Sequence, residues 1–186
     1  EVFVSSERMV HLIGDFLNVS RLQTGKFIIE KHPIDLATLV QREVDSLAQN
    51  ATAKDVRFVY KKPKNIPILD LDENKIQQVI MNFLDNAMYY SKEKSKVTVS
   101  LANMGDYVEF KVIDTGIGVP QSEQSRLFKK FFRATNARRA RPDGTGVGLF
   151  LAKRVIDDHG GKIIFESKEG KGSTFGFQLP IPKTKD

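Results

Sequence analysis

The chain contains no cysteine. That excludes disulfides and thiolate metal sites, and it removes any reading of the redox compartment. No apolar run approaches the ~20 residues a membrane-spanning helix needs, and no signal-peptide pattern is present. Acid is locally missing as well. Between Glu123 and Asp143 no carboxylate interrupts Arg126, Lys129, Lys130, Arg133, Arg138, Arg139 and Arg141, although the chain as a whole carries a net charge of only +6. Such a block attracts polyanions, whether nucleotide phosphates, nucleic acid or an acidic protein face, unless it is simply a solvated loop.

What is present is ordinary for a globular protein: 40% hydrophobic and 28% charged residues. A length of 186 residues suffices for one compact domain plus an appendage. The first residue is Glu1, so a piece of a longer protein is expected. Residues 1–24 read as one helix, with Met9, Leu12, Ile13, Phe16 and Leu17 at helical spacing. Val2, Val10, Val19 and Leu22 widen its apolar surface, which calls for a partner helix, most simply a second copy. Gly25 ends it.

A strand is expected over Phe27–Lys31, broken by Pro33. Asp35 should cap a helix to about Asn50 with Leu36, Leu39, Val40, Val44 and Leu47 inward. Strands follow at Val56–Tyr60 and Ile68–Leu71, and Asp72 caps a long helix from Glu73 to about Tyr89. Lys96–Leu101 and Tyr107–Ile113 form a hairpin. Pro120 opens a short helix to about Lys130, and residues 133–144 read as an irregular, mobile, basic loop. Gly148–His159 is a helix, and Ile163–Ser167 with Thr174–Leu179 a closing hairpin. Hairpins dominate the strand connections, so helices on one face of a mixed sheet are favoured over a doubly wound fold.

Three polar motifs carry chemistry. Asn82 and Asn86 stand at i and i+4 on the long helix, so their amide oxygens point the same way. Two neutral oxygens on a rigid face suit Mg²⁺, which keeps several waters and takes further ligands from phosphate; a solvated polar stripe is the alternative. Asp114 ends a strand and precedes Thr115-Gly116-Ile117-Gly118. A buried carboxylate there can accept the adenine amino group and reject guanine's carbonyl, while Gly116 and Gly118 let the backbone approach a base. An Asx turn is the plain alternative. Gly144-Thr145-Gly146-Val147-Gly148-Leu149 precedes a helix, where exposed backbone N–H groups and the helix N-terminus favour phosphate. It lacks the Gly-Lys-Ser/Thr of a P-loop and follows no strand, so it is neither a P-loop nor a dinucleotide fingerprint.

In this order and spacing, Asn82-Phe83-Leu84-Asp85-Asn86-Ala87, Asp114-Thr115-Gly116-Ile117-Gly118 and Gly144–Leu149 resemble the N, G1 and G2 boxes of the sensor histidine kinase ATP-binding domain. That domain belongs to the Bergerat-type ATPases, with gyrase B and the heat-shock chaperone ATPases. Phe128, Phe131 and Phe132 resemble its F box, and the likeness continues through Leu151–Gly161 and Gly170–Phe175. The resemblance implies an α+β fold, a two-layer α/β sandwich with a mixed sheet of about five strands and about three helices on one face, preceded by an N-terminal helix. It divides the chain into 1–25, similar to the second helix of the dimerisation hairpin, and 26–186, the catalytic ATP-binding domain. It implies ATP and Mg²⁺ as cofactors, Asn86 as the main Mg²⁺ ligand with Asn82 assisting, and Tyr90 lining the nucleotide. Gly116, Gly118, Gly144, Thr145, Gly146, Gly148 and Leu149 would contact the nucleotide beside Asp114. A lid from Arg133 to Asp143 would bring Arg133 and Arg138 to the transferring phosphoryl group.

One departure stands out: the family usually has Lys before the tyrosine, and this chain has Tyr89. Lys92 or a lid arginine would have to supply that charge. None of His11, His32 and His159 is followed by the acid and proline of the family's phosphoacceptor motif, and the helix that would bear it is absent. Gyrase-type relatives carry Glu where this chain has Asn82, and an amide cannot take a proton from water. The implied function is therefore a histidine protein kinase domain. It would transfer the ATP γ-phosphoryl group to a histidine on a dimerisation helix missing from this chain, for relay to a response regulator receiver domain. The implied location is cytoplasmic, in a homodimeric parent compatible with a membrane anchor. An ATP-binding pseudokinase or regulatory module is the alternative. A nucleic-acid binder is disfavoured, because no groove-reading helix or stacking platform accompanies the basic block.

Overall fold

The protein is described here by a computed structural model covering Gly14, Ser20, Thr24 and residues 27–50 and 55–182. Apart from those three residues, the expected N-terminal helix and its dimerisation role lie outside the described residues.

Strand β1 (His32–Ile34) pairs antiparallel with β3 (Leu69–Leu71), His32 opposite Leu71 and Ile34 opposite Leu69, as a separate two-stranded sheet. This corrects the expected strand at Phe27–Lys31. Pro33 lies inside the strand, opposite Asp70, and not after it. A two-stranded ribbon leaves one edge of each strand without a ladder partner, so a residue lacking N–H is tolerated. Residues 27–31 form no regular element and are held by Phe27 against the core and by Glu30, whose N–H donates to Asp72 Oδ2 at 3.1 Å.

The main sheet has the order β2 (Arg57–Tyr60), β4 (Lys96–Asn103), β5 (Tyr107–Ile113), β7 (Gly172–Pro180), β6 (Lys162–Lys168). The β2–β4 pair is parallel and the others antiparallel, which makes the sheet mixed. Side-chain alternation sorts its faces. Val99 sits opposite Val112 and Phe110 opposite Phe177, all buried, with the Phe110 and Phe177 rings stacked at 4.9 Å. On the opposite face Lys111 Nζ pairs with Glu109 at 2.5 Å, and Gln178 Nε2 donates to Glu109 at 3.0 Å.

Helices α1 (Leu36–Asn50) and α2 (Glu73–Tyr90) begin where the sequence places their caps. Asp35 Oδ1 accepts the Thr38 N–H at 3.0 Å and Asp72 Oδ1 the Lys75 N–H at 3.1 Å. Helix α2 buries Ile76, Val79, Ile80, Phe83, Leu84 and Ala87, and Phe83 meets Phe175 of β7 at 5.8 Å. Truncating a side chain as deep as Phe83 would cost about 3–5 kcal/mol. The segment after Pro120 is a 3₁₀ helix over Gln121–Arg126, shorter than expected. The segment expected as an irregular loop contains α3 (Thr135–Ala140). Its cap is remote in sequence: Glu123 accepts the Thr135 N–H at 2.9 Å and the Thr135 hydroxyl at 2.7 Å.

Helix α4 (Gly148–Asp158) packs beside α2. Buried His159 locks the two together: its Nδ1–H donates to Val155 O at 2.7 Å, and its Nε2 accepts the Asp72 N–H at 3.0 Å. The ring is thus held neutral, and burial pushes its pKa below the ordinary value. One end of each site-bearing helix is thereby fixed.

Candidate functional site

The three motifs meet on α2. Asn82 and Asn86 are half-buried on it and joined to each other, Asn86 Nδ2 donating to Asn82 Oδ1 at 3.2 Å. That bond occupies the Asn82 oxygen and leaves the Asn86 oxygen as the acceptor on this stripe. Gly148, the first residue of α4, lies directly on Asn82: a Cβ there would stand 2.0 Å from Asn82 Nδ2. The third motif therefore rests on the first by virtue of having no side chain at that point.

The second motif rests on the other end of the stripe. Asp114 follows β5 and is buried, with Oδ1 accepting the Gly116 N–H at 2.8 Å and the Ser173 N–H at 3.3 Å. Burial pushes its carboxyl above the ordinary value of 3.8, against the lowering pull of those two amides. The loop then abuts the last turn of α2. Ile117 N–H donates to Tyr90 O at 3.2 Å, and a Cβ at Gly116 would meet that carbonyl oxygen at 2.2 Å. Only glycine fits this approach. Tyr90 therefore stands between Asn86, one turn before it, and the loop that holds Asp114.

The lid segment closes the arrangement. Asn136 of α3 donates to Gly118 O at 2.8 Å. Gly144 and Gly146 flank the Arg133 side chain, and the Thr145 hydroxyl accepts the Val147 N–H at 3.3 Å. Leu149 packs against the core. The two arginines singled out in the sequence differ in availability. The Arg133 guanidinium is spent inside the lid, donating to the carbonyls of Pro142 (3.1 Å), Gly144 (3.0 Å), Ala137 (3.2 Å) and Arg141. Arg138 is exposed, with its Nε on Arg133 O at 3.1 Å. Of the F-box aromatics, Phe128 is half-buried against the core, edge-on to Phe165 at 5.8 Å, whereas Phe131 is 59% exposed.

Chemically, the stripe fits a divalent hard cation through amide oxygen. Among the described residues no group of three or more His, Asp or Glu is placed to hold a metal ion, so phosphate would have to complete the coordination. An open cleft of about 430 Å³ lined by Asp35, Lys62 and Lys64 shares none of these residues. Sequence reasoning missed Glu123, Asn136 and Ser173. Each acts through a partner at least 12 residues away, and no local pattern marks such a pair. No helix among the described residues is long and apolar enough to cross a membrane.

Comparison with known proteins identifies the family. Residues 71–183 match the family described as "Histidine kinase-, DNA gyrase B-, and HSP90-like ATPase". The chain is 33% identical over 178 residues to the circadian input-output histidine kinase CikA of Synechococcus elongatus, covering 95% of this chain and 24% of CikA. It is 36% identical over 174 residues to the adaptive-response sensory kinase SasA of Rippkaea orientalis, covering 93% of this chain and 44% of SasA. The chain thus spans less than half the length of these relatives. Among solved structures, full-length ShkA in complex with AMPPNP superposes with a TM-score of 0.78 at 26% identity, covering 95% of this chain and 36% of ShkA. The mycobacterial sensor histidine kinase MprB gives a TM-score of 0.69 at 26% identity, covering 80% of this chain and 97% of MprB. The chain belongs to the histidine kinase-, DNA gyrase B- and HSP90-like ATPase family, as a catalytic domain of the sensor histidine kinase kind.

Proposed function

We propose that the chain binds Mg-ATP along α2 and serves as the phosphoryl donor to a histidine on a dimerisation helix of its parent protein. The observation that carries this reading is the meeting of three motifs on one helical stripe, Gly148 against Asn82 and Gly116 against Tyr90, with Asn86 between. On this reading Asp114 takes the adenine amino group, Tyr90 lines the base, and the Gly144–Leu149 turn at the start of α4 receives the phosphates through backbone N–H groups. Asn86 would hold the metal, and Asn82 would orient it through their shared hydrogen bond. Mg²⁺ so held would neutralise phosphate charge during transfer.

Asn82 also sets the fate of the phosphoryl group. An amide cannot deprotonate water, so hydrolysis stays slow and the γ-phosphoryl group is kept for a better nucleophile. Of the two arginines singled out, Arg138, exposed on the lid, is the one left to meet that group, since the Arg133 guanidinium is occupied by lid carbonyls. Residues 1–25 would form the second dimerisation helix and 26–186 the catalytic domain of a cytoplasmic, homodimeric parent that signals to a response regulator receiver domain. Nucleic acid is not a partner on this reading.

The test is calorimetric titration of ADP with and without Mg²⁺ into the chain and into Asn86→Ala. The wild type should bind more tightly with Mg²⁺, and the variant should lose that increment while keeping Mg²⁺-independent affinity. Binding that ignores both Mg²⁺ and the substitution would overturn the assignment. A supplied acceptor-helix fragment should become phosphorylated on histidine.

A further inference from the structure

The loop after Asp114 has its backbone held by several elements. Ile117 N–H donates to Tyr90 O of α2, and Ile117 O accepts the Gly170 N–H at 2.8 Å. Val119 N–H donates to Ser167 Oγ at 2.9 Å, and Val119 O accepts from Gln124 Nε2 at 3.0 Å. Between them stands Gly118, at φ +62°, whose carbonyl accepts from Asn136 Nδ2 of α3 at 2.8 Å. Of these bonds only the last comes from the lid. Asn136 Oδ1 is buried and has no hydrogen-bond partner among the described residues. A half-satisfied amide is destabilising in that position unless its other end is well bonded, so the Gly118 contact is what holds the side chain inward.

A second link runs one residue away. Thr135, the first residue of α3, is bound by Glu123, and Gln124, next to Glu123 on the 3₁₀ helix, is bound to Val119. Thr135-Asn136 and Gly118-Val119 are thus joined twice, once directly and once through Glu123-Gln124. The far end of α3 rests on α2, with Arg141 Cζ 4.6 Å from the Tyr89 ring centroid. A helix of 6 residues makes too few internal bonds to persist alone, so its order depends on these attachments. We infer that Asn136 couples recognition of the base to the order of the lid. A base held at Asp114 fixes the loop, the fixed Gly118 carbonyl holds Asn136, and α3 is ordered before any phosphate contact is made. Linkage makes the effect mutual, so an ordered α3 tightens the base site by the same factor. Asn136 is a positioning residue, acting on the base only through Gly118. This coupling rests on the nucleotide-binding reading of the site and adds to it the route by which its two halves communicate.

The experiment measures adenosine and ATP affinities by calorimetry, and amide hydrogen exchange over residues 135–141 with and without saturating adenosine. It uses the wild type, Asn136→Ala and Asn136→Asp, with thermal unfolding of each as a folding control. Adenosine carries no phosphate. In the wild type it should nonetheless slow exchange of the Arg138 and Arg141 N–H groups, which donate to Ala134 O and Ala137 O, by about two- to tenfold, the worth of one neutral hydrogen bond. Asn136→Ala should weaken adenosine and ATP by a common factor of about two- to tenfold, and adenosine should no longer slow the exchange. Asn136→Asp keeps the shape but sets an acceptor against the Gly118 carbonyl, so it should bind no better than the alanine variant. A loss confined to ATP would assign Asn136 to the phosphates and overturn the coupling, as would unchanged adenosine affinity in both variants. The wild-type exchange comparison decides the matter even where a variant fails to fold. If the wild type binds ATP and adenosine leaves α3 exchange unchanged, or does not bind, only the coupling fails; if neither ligand binds, the functional reading itself fails.

Discussion

Replacing Asp114 by Asn separates what the residue does for binding from what it does for folding. Oδ1 faces two donors, the Gly116 and Ser173 N–H groups at 2.8 and 3.3 Å. In the variant the amide oxygen must occupy that place, since an NH₂ there would confront both. The NH₂ therefore takes the Oδ2 position, where on the proposed reading the adenine amino group arrives. An acceptor becomes a donor facing a donor. Loss of one hydrogen bond to a charged group is worth about 1.5–3 kcal/mol, which is about ten- to a hundredfold in ADP affinity.

Stability should move the other way. The folded-state pKa of Asp114 is raised by burial above its unfolded value of 3.8. Such a group contributes stability below the unfolded pKa and loses it as pH rises through the folded pKa. At neutral pH the wild type thus bears a buried charge that Asp114→Asn removes, so the variant should melt at the same temperature or higher. That advantage should disappear in acid, below about pH 4. The assay is a pair of measurements on one preparation, thermal unfolding from pH 3.5 to 7.5 and titration with ADP at pH 7. A variant that binds ADP within about threefold of wild type would refute the role in base recognition. A variant that melts much lower at pH 7 would refute the account of the buried charge.

Two glycine substitutions should differ in kind. Gly148→Ala meets only the end of the Asn82 side chain, at 2.0 Å, so the fold should survive while Asn82 is pushed aside and Mg²⁺-dependent ADP binding weakens severalfold. Gly116→Ala meets the Tyr90 carbonyl oxygen at 2.2 Å and should destabilise the domain by about 1–3 kcal/mol in urea unfolding, because backbone must move. Normal stability of Gly116→Ala would contradict that close approach. His159 gives a pH signature: its pKa lies below the ordinary 6.5 through burial and the nearby Lys31 charge, opposed by the Val155 carbonyl, Asp72 and Asp158. Its stabilisation is complete above about pH 6.5 and is lost as pH falls through the lowered folded value. Wild-type melting temperature should accordingly drop more steeply between pH 7 and 5 than that of His159→Gln, and parallel curves would dismiss the neutral clamp.

Much of this protein is written in short-range pattern. Asp35 and Asp72 cap their helices through N–H groups three residues on, and β4 and β5 alternate buried with more exposed side chains at period two, so both are visible in a few consecutive residues. The three motifs likewise state their chemistry locally: paired amides on a helix, a carboxylate ending a strand, a glycine turn opening a helix. Chain folding alone decided the rest, because the energies involved come from partners distant in sequence. Pro33 could enter a strand only because β3 arrives beside it, and α3 exists where a loop was expected because Glu123 reaches its first turn. Arg133 looks in sequence like its neighbours, yet four lid carbonyls converge on it, while Arg141 finds an aromatic face 52 residues earlier in the chain. Residue type announces which interactions a side chain can make; packing selects which one it does make, and hence which cation remains available to a ligand.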